Sequence, residues 1–390
     1  MIVEPKVRGF ICTTAHPQGC AQNVREQIEY VKKQPKTDGA KKVLVIGSSA
    51  GYGLASRISA AYSSGAATIG VMFERPANGK RTASAGWYNT AAFEEFAHRD
   101  GLYARTINGD AFSKEIKEQT AALIKKDLGQ VDMVVYSLAS PRRTLEDGTT
   151  VSSVLKTTDS DYTNKTIDLT TRRITEVTVT PATEEEIADT VKVMGGEDWK
   201  EWIALLKKEN VLADGAVTLA YSYLGPELTH PMYRNGSIGR AKEHLFRTSG
   251  EITKELGVPA YISVNKALVT QSSAAIPIVP LYIAILYKIM KEKGTHENCI
   301  EQMYRLFHDK LPARETDENG MIRLDDWEME RDVQDAVSAA WEKITDENLD
   351  ALADVDGYWD DFYRMFGFRM DGVDYAADVD TEVAIPGVGE

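Results

Sequence analysis

A tyrosine and a lysine, Tyr233 and Lys242, stand nine positions apart with Asn235-Gly236-Ser237 between them. On one straight helix the two side chains would be half a turn out of phase. The Asn-Gly-Ser sequence predicts a turn with Ser237 as the N-cap, so that Tyr233 precedes the helix and Lys242 lies in its second turn. Both side chains can then face one pocket.

This pair suits a specific chemistry. When hydride adds to the β-carbon of an α,β-unsaturated thioester, the resulting enolate needs a donor at its oxygen and then a proton. A phenol can donate, and a neighbouring ammonium lowers the pKa of the phenol and can also hold a cofactor. An ordinary tyrosine and lysine on the approach to a helix is the plainer interpretation.

Residues 42–56, KVLVIGSSAGYGLAS, form an apolar β-rich run that breaks into a glycine-spaced turn and opens into a helical pattern. Gly47, Gly51 and Gly53 let the backbone approach phosphate oxygens, and the first amides of the helix offer donors. The GxxxGxG spacing is typical of short-chain dehydrogenase-type folds, and no Gly-Lys-Ser/Thr follows that would make a Walker loop. The stretch predicts a bound dinucleotide.

Glu74 ends the second predicted strand, 21 residues after Gly53. A carboxylate there can accept the adenosine ribose hydroxyls and repel the 2′-phosphate of NADPH, so we expect NADH, with NADPH weaker or unused. Arg75 could tolerate a 2′-phosphate, and an acid at a strand end can also be merely solvated.

Small residues end the next strands: Asp110-Ala111 after the third and Leu138-Ala139 after the fourth. They leave room for adenine and for the nicotinamide ribose where the sheet changes direction. After the following two strands come Tyr223 and the run 268–270. Tyr223 is the alternative proton donor or a contact of the substrate thioester, and Leu268, Val269 and Thr270 are placed to contact nicotinamide.

The elements that position these residues alternate between strand and helix. Strands are predicted at 43–47, 68–74, 102–107, 132–139, 216–221 and 260–265, and helices lie between most of them. Apolar strands alternating with helices predict a doubly wound parallel α/β sheet of the Rossmann type.

Other segments depart from this rhythm. An insertion between 142 and 180 contains the exposed hairpin TIDLTTRRITEVTVT, and two helical patterns fill 184–209. The apolar run 274–290 predicts a buried helix, which could line an acyl tunnel around Ile285. From 313 the chain is acidic and helical, with an amphipathic helix across 325–345 and a loose end at 378–390.

Bulk properties exclude several classes. A formal charge of −14 argues against a general nucleic-acid binder and an anionic membrane surface. Three cysteines without a CxxC indicate a reducing cytoplasm, and the amino-terminal residues show no signal or transit pattern. None of the six histidines lies in a metal-site pattern, so we expect no metal.

Many separate motifs in one order carry a family resemblance. They are VRGFICTTAHPQGC, GSSAGYGLASR, SAGWYN, GDAF, VYSLASP, VKVMGGEDW, YRNGSIGRAKEHL, SVNKALVT and MKEKGTHENCIEQ. Together they make the chain resemble the trans-2-enoyl-CoA reductase and FabV-type enoyl-[acyl-carrier-protein] reductase family, enlarged relatives of the short-chain dehydrogenases. The resemblance covers almost the whole chain.

The resemblance implies NADH-dependent reduction of trans-2-enoyl thioesters to saturated acyl thioesters, the last reduction step of fatty acid elongation. It implies Tyr233 as proton donor, Lys242 as an NADH ligand and Tyr223 as a substrate contact. Pyrophosphate would bind at Gly47, Ser48, Ser49, Ala50, Gly51 and Tyr52. The remaining cofactor contacts would be Phe73, Glu74, Asp110, Ala111, Leu138, Ala139, Leu268, Val269 and Thr270.

The resemblance also implies a monomeric, cytoplasmic enzyme. Its parts would be an N-terminal and glycine-loop segment at 1–80, the rest of the core with its insertions at 81–312, and a helical C-terminal region at 313–390. The family labels that last region flavin-binding, but it has no second glycine loop, and we expect no flavin. An anionic carrier, CoA or acyl carrier protein, could dock near Arg142 and Arg143.

Two alternatives remain open from the residues. A short-chain carbonyl or ketoacyl reductase needs a tyrosine four positions before a lysine, and the nearest such candidates do not lie directly after the fourth strand. A non-catalytic NADH-sensing module would bind NADH without oxidising it.

Overall fold

A computed structural model describes residues 1–9, 11–138 and 140–388. Its strands are β1 (Val7–Arg8), β2 (Ile11–Cys12), β3 (Lys42–Ile46), β4 (Ala67–Met72), β5 (Ala104–Asn108), β6 (Val131–Tyr136), β7 (Arg142–Thr144), β8 (Thr150–Ser152), β9 (Tyr162–Asp168), β10 (Arg173–Val179), β11 (Leu212–Ser222), β12 (Ala260–Val264) and β13 (Ile322–Arg323).

Thirteen α-helices are found within the described residues. They are α1 (Pro17–Lys33), α2 (Gly51–Ser64), α3 (Ala85–Arg99), α4 (Lys114–Asp127), α5 (Glu184–Met194), α6 (Glu197–Lys208), α7 (Ser237–Glu251), α8 (Val279–Lys293), α9 (Cys299–Arg305), α10 (Leu311–Ala313), α11 (Arg331–Lys343), α12 (Leu349–Leu352) and α13 (Val355–Arg364).

Seven parallel strands form the central sheet, in the order β13-β12-β11-β6-β3-β4-β5. The chain runs outward from β3 to β5 and then returns to β6, on the other side of β3. The strand order therefore reverses between β3 and β6, which is where open α/β sheets bind ligands. The predicted doubly wound sheet is confirmed, and the six predicted strands coincide with β3, β4, β5, β6, β11 and β12.

Alternation along β3 shows why its residues are apolar throughout. Val43 and Val45 pack in one core with α1, α2, α3 and α9, whereas Leu44 and Ile46 pack in another with α4, α6 and α7. Successive side chains of a strand point to opposite faces, so a strand covered on both faces is continuously hydrophobic.

The predicted hairpin is confirmed as β9 and β10, which pair antiparallel from Tyr162↔Val179 to Asp168↔Arg173. A smaller hairpin, β7 and β8, precedes it. The β9–β10 hairpin lies against the C-terminal region, since Lys165 Nζ donates to the carbonyl of Trp341 at 2.9 Å.

Helix α8 confirms the buried helix predicted in 274–290. Its residues from Val279 to Tyr287 are all buried, and they pack with α11 and α13 in a third core. Among the described residues, no helix has both the length and the hydropathy that a membrane crossing requires.

The expected loose end is wrong for 378–388. Val379 N–H donates to the carbonyl of Met1, Gly387 N–H donates to Glu94 at 2.8 Å, and Ile385 is buried with Met72 and Ala91. This tail forms no regular element, so periodicity could not reveal it. Contacts with distant parts of the chain hold it in place instead.

Candidate active site

The carboxyl ends of β3, β4, β6, β11 and β12 open on one cavity of about 1250 Å³. Sixteen of the eighteen predicted site residues line it. Ser48 is fully buried behind the wall, and Ala139 lies outside the described residues. The lining residues are Gly47, Ser49, Ala50, Gly51, Tyr52, Phe73, Glu74, Asp110, Ala111, Leu138, Tyr223, Tyr233, Lys242, Leu268, Val269 and Thr270.

Close backbone packing explains two glycines of the loop after β3. At Gly47, where φ is +81°, a Cβ would lie 2.3 Å from the carbonyl oxygen of Ser137. A Cβ on Gly53 would lie 1.8 Å from the carbonyl oxygen of Gly47. The N-cap of α2 is Ala50, whose side chain has no oxygen to accept from the first amides of the helix. Those donors are left for a ligand, and the arrangement fits a pyrophosphate.

The two serines of the loop have supporting contacts. Ser48 Oγ donates to the carbonyl of Val71 at 3.3 Å, and its side chain holds the loop rather than facing the cavity. Ser49 Oγ donates to Glu74 Oε1 at 2.7 Å.

Glu74 is fixed at the cavity wall just beyond β4. Its backbone exchanges hydrogen bonds with the Asn108 side chain, at 2.8 and 3.0 Å. A Cβ on Gly86 would lie 2.1 Å from Glu74 Oε1, so glycine there makes room for the carboxylate. Beside it Phe73 is 76% exposed. An open aromatic ring next to a fixed carboxylate suits an adenosine whose ribose presents two hydroxyl donors.

The predicted small residues also lie at strand ends. Asp110 Oδ1 accepts the N–H of Phe112 at 3.0 Å, which tightens the turn after β5. The carbonyl of Ala111 accepts from Trp202 Nε1 at 3.1 Å. Leu138 follows β6 on the opposite side of β3. The three residues therefore lie on either side of the point where the strand order reverses.

Tyr233 precedes α7 and Lys242 lies in its second turn, as predicted. The N-cap, however, is Gly236 and not Ser237. A Cβ on Gly236 would lie 2.3 Å from the carbonyl oxygen of Met232, which leaves room only for glycine. Ser237 is the first helical residue, and its Oγ donates to the carbonyl of Val154 at 2.5 Å, so it ties α7 to the insertion.

Lys242 is a buried amine. Its Nζ donates to the carbonyl of Tyr221, at the end of β11, at 3.1 Å. Burial disfavours the charged form and lowers the pKa of Lys242 to about 8.

Two tyrosines meet edge to face beside the cavity. The ring centroids of Tyr223 and Tyr233 are 4.7 Å apart at an interplanar angle of 75°. The Tyr223 hydroxyl donates to Glu328 Oε1 at 3.0 Å. Within the described part of the chain, the Tyr233 hydroxyl has no hydrogen-bond partner. Of these two hydroxyl protons, that of Tyr233 is therefore the one without an acceptor among the described residues.

The expectation that Lys242 lowers the pKa of the tyrosine is wrong for this arrangement. Burial raises the pKa of Tyr233, and the negative charge of Glu328 raises it further. Desolvation dominates because a phenolate would lose its hydration inside the cavity wall. Tyr233 is therefore protonated at neutral pH.

The loop after β12 closes the far side of the cavity. Val269 N–H donates to Tyr287 Oη at 3.1 Å, and Thr270 N–H donates to Ser273 Oγ at 2.9 Å. Tyr52 Oη donates to the carbonyl of Lys266 at 2.8 Å, which joins the glycine loop to this one. The hydroxyl of Tyr52 thus acts as a structural link.

Sequence reasoning missed Glu328, because it stands in an acidic region where nothing in the local pattern distinguishes it. It also misplaced Arg143, which is buried and paired with Glu197 at 2.6 Å and Glu201 at 3.2 Å. Arg143 cannot meet a carrier, whereas Arg142 is exposed and lines the cavity. No cluster of three His, Cys, Asp or Glu residues suited to a metal ion occurs in the described ranges.

Comparisons with known proteins agree along the whole chain. Residues 2–79 match the NAD(P)H binding domain of trans-2-enoyl-CoA reductase, residues 81–312 its catalytic region, and residues 316–379 the enoyl reductase FAD binding domain. An enoyl-[acyl-carrier-protein] reductase [NADH] of Flavobacterium johnsoniae is 59% identical, with 100% of both chains covered.

A trans-2-enoyl-CoA reductase [NADH] of Ruminiclostridium cellulolyticum is 56% identical, again over 100% of both chains. Among solved structures, the Clostridium acetobutulicum trans-2-enoyl-CoA reductase in complex with NADH superposes with a TM-score of 0.95. It is 46% identical, with 98% of each chain covered.

The residues at 316–379 do not fit a flavin. Val333, Trp341 and Phe362 fill the interior of this segment by packing with α8. Its side chains at the cavity include Asp360, Asp361 and Arg364, and its sequence contains no glycine-spaced loop of the kind that holds a dinucleotide phosphate.

The fixed carboxylate of Glu74 predicts a preference for NADH over NADPH. Glu74→Ala should lower the ratio of the NADPH to the NADH dissociation constant by about 10-fold or more, because a like-charge contact with the 2′-phosphate is removed. Fluorescence titration with both nucleotides measures it. Glu95→Ala, which removes the same charge from an exposed position on α3, is the control. An equal ratio in Glu74→Ala and wild type would contradict the selectivity argument.

Proposed function

The chain belongs to the trans-2-enoyl-CoA reductase family, and we propose that it reduces the carbon–carbon double bond of trans-2-enoyl thioesters with NADH, using Tyr233 and Lys242. One observation carries the assignment of residues. Tyr233 presents an uncommitted hydroxyl to the cavity that Lys242 also lines, while the proton of Tyr223 is held by Glu328.

The residues fit NADH along the whole cavity. The loop 47–52 would hold the pyrophosphate, Phe73 and Glu74 the adenosine, and residues 268–270 the nicotinamide, with Asp110, Ala111 and Leu138 between them. NADH, when bound, supplies the hydride for the β-carbon of the substrate.

Tyr233 stabilises the enolate oxygen of the thioester by donating a hydrogen bond, and it assists protonation of the enolate at the α-carbon, which gives the saturated acyl thioester. Its raised pKa keeps the donor loaded before each turnover. Lys242 lies in the same wall, where its ammonium attracts the developing negative charge and contacts the cofactor. Burial strengthens both interactions because little water competes with them.

The acyl carrier is a separate question, since relatives of this chain are named for both CoA and acyl carrier protein. Both carriers are anionic, and Arg142 is an exposed cation at the cavity that suits either. The division at 80 and 312, a monomeric state and a cytoplasmic location stay predictions.

The alternatives differ in one assay. A carbonyl reductase would oxidise NADH with acetoacetyl-CoA and spare crotonyl-CoA, and a sensing module would oxidise it with neither. The proposed function requires turnover with crotonyl-CoA.

Replacing each tyrosine separates the two candidate donors. Tyr233→Phe should lower kcat by about 10²-fold or more, because the positioned donor is lost. Tyr223→Phe should cost less, since its hydroxyl proton is already held by Glu328. Steady-state rates with crotonyl-CoA measure both. Wild-type turnover in Tyr233→Phe together with none in Tyr223→Phe would reverse the assignment.

The pKa of Lys242 predicts that kcat/KM depends on pH. The amine is charged below about 8 and neutral above it, so kcat/KM should fall as pH rises through that value. Lys242→Arg keeps its charge at all accessible pH values and should lose this pH dependence. A pH series with crotonyl-CoA measures it. If the pH dependence persisted unchanged in Lys242→Arg, another group would be responsible.

Ile285, which we expected to line the acyl tunnel, does not line the cavity. Ile276, just before α8, and Val279 and Ile283 of α8 line the cavity, whereas Ile285 packs in the core. Ile283→Ala should therefore favour longer chains, raising by about 10-fold the ratio of kcat/KM for trans-2-dodecenoyl-CoA to that for crotonyl-CoA. Ile285→Ala, an equal truncation outside the cavity, is the control. Equal shifts in both variants would argue against an acyl tunnel along α8.

A further inference from the structure

A single buried carboxylate gathers donors from three elements around the active site. Glu328 follows β13 and is completely inaccessible to solvent. Its Oε1 accepts from the hydroxyls of Tyr223 at 3.0 Å and Tyr282 at 2.6 Å. Its Oε2 accepts the N–H of Ala267 at 2.7 Å. The C-terminal region thereby reaches the ends of β11 and β12.

All three partners donate, so the ionised carboxylate is the form that this site satisfies. Burial raises the pKa of Glu328, and the positive charge of Lys266 opposes that rise. Lys266 is itself buried, with its Nζ donating to the carbonyl of Ala267 at 3.0 Å. Gln334 Nε2 donates to the carbonyl of Glu328 at 2.7 Å and to Tyr282 Oη at 3.2 Å. The carboxylate therefore has one position.

A fixed carboxylate fixes the hydroxyl of Tyr223. A tyrosine has a single hydroxyl proton, and here it is directed to Glu328. The ring of Tyr223 is then held against the edge of Tyr233, at a centroid distance of 4.7 Å. A shift of Tyr223 would remove the surface against which the Tyr233 ring packs.

We propose that Glu328 is a positioning residue for the reaction, acting through Tyr223 to hold Tyr233 in its donating position. This inference rests on the proposed function. It gives the C-terminal region a role in the active site through its carboxylate and not through a bound flavin.

The first test is Glu328→Gln, which keeps the shape but removes the charge and one acceptor. We expect kcat to fall by about 10-fold or more, since small displacements of reacting groups cost at least that much. The NADH dissociation constant should stay within about twofold, because Glu328 acts through the tyrosine. Rates are expressed per NADH-binding site, so that an unfolded fraction does not count.

Glu297→Gln is the matched control. Glu297 is another buried carboxylate, paired with Arg305 at 2.7 Å, and the substitution is the same. A loss of stability without a loss of kcat per NADH site is expected there. If both variants lost kcat equally, Glu328 would have only a structural role and the proposal would fail.

The second test is a double-mutant cycle with Tyr223→Phe. If Glu328 acts through Tyr223, the double variant should lose about as much kcat as the worse single variant. The positioning role would be overturned if the kcat losses of the two single variants multiplied in the double variant, or if Glu328→Gln kept the wild-type kcat. The proposed function would still stand in either case, because it depends on turnover by the wild-type enzyme. Absence of wild-type turnover with crotonyl-CoA would overturn both.

Discussion

The common direction of the seven central strands is the constraint on which the rest of the structure depends. Because parallel strands end at one edge, residues far apart in the chain meet there: the loop after β3, Glu74 beyond β4, and the ends of β11 and β12. Gly47 and Gly53 allow the backbone segments at this edge to pack closely. Larger residues at either position would collide with the neighbouring backbone and displace the loop.

Burial then decides which groups carry charge at that edge. Desolvation disfavours both a phenolate at Tyr233 and an ammonium at Lys242, so it keeps the phenol protonated and brings the amine to a pKa of about 8. Because solvent is excluded, a Glu328 carboxylate without hydrogen-bond partners would cost free energy. Three donors satisfy it instead. Proton donation by Tyr233 and its positioning by Glu328 therefore both depend on burial.

Much of this could be predicted from the sequence because it follows local rules. Continuous apolar, β-branched runs predicted the strands, glycine spacing predicted the phosphate loop, and Asn-Gly-Ser correctly placed Tyr233 before the helix. The failures are tertiary. Ser237 bonds to a distant carbonyl instead of capping, and Ile285 faces away from the cavity on a helix that is apolar all round. Glu328 and the buried tail depend on partners far away in the chain, which no local pattern encodes.

The most direct test of the account is NADH absorbance in the wild-type enzyme after crotonyl-CoA is added. The account predicts that NADH is oxidised in proportion to the crotonyl-CoA supplied, with butyryl-CoA formed in equal amount. NADH that binds to the protein but keeps its absorbance when crotonyl-CoA and crotonyl-acyl carrier protein are added would contradict it.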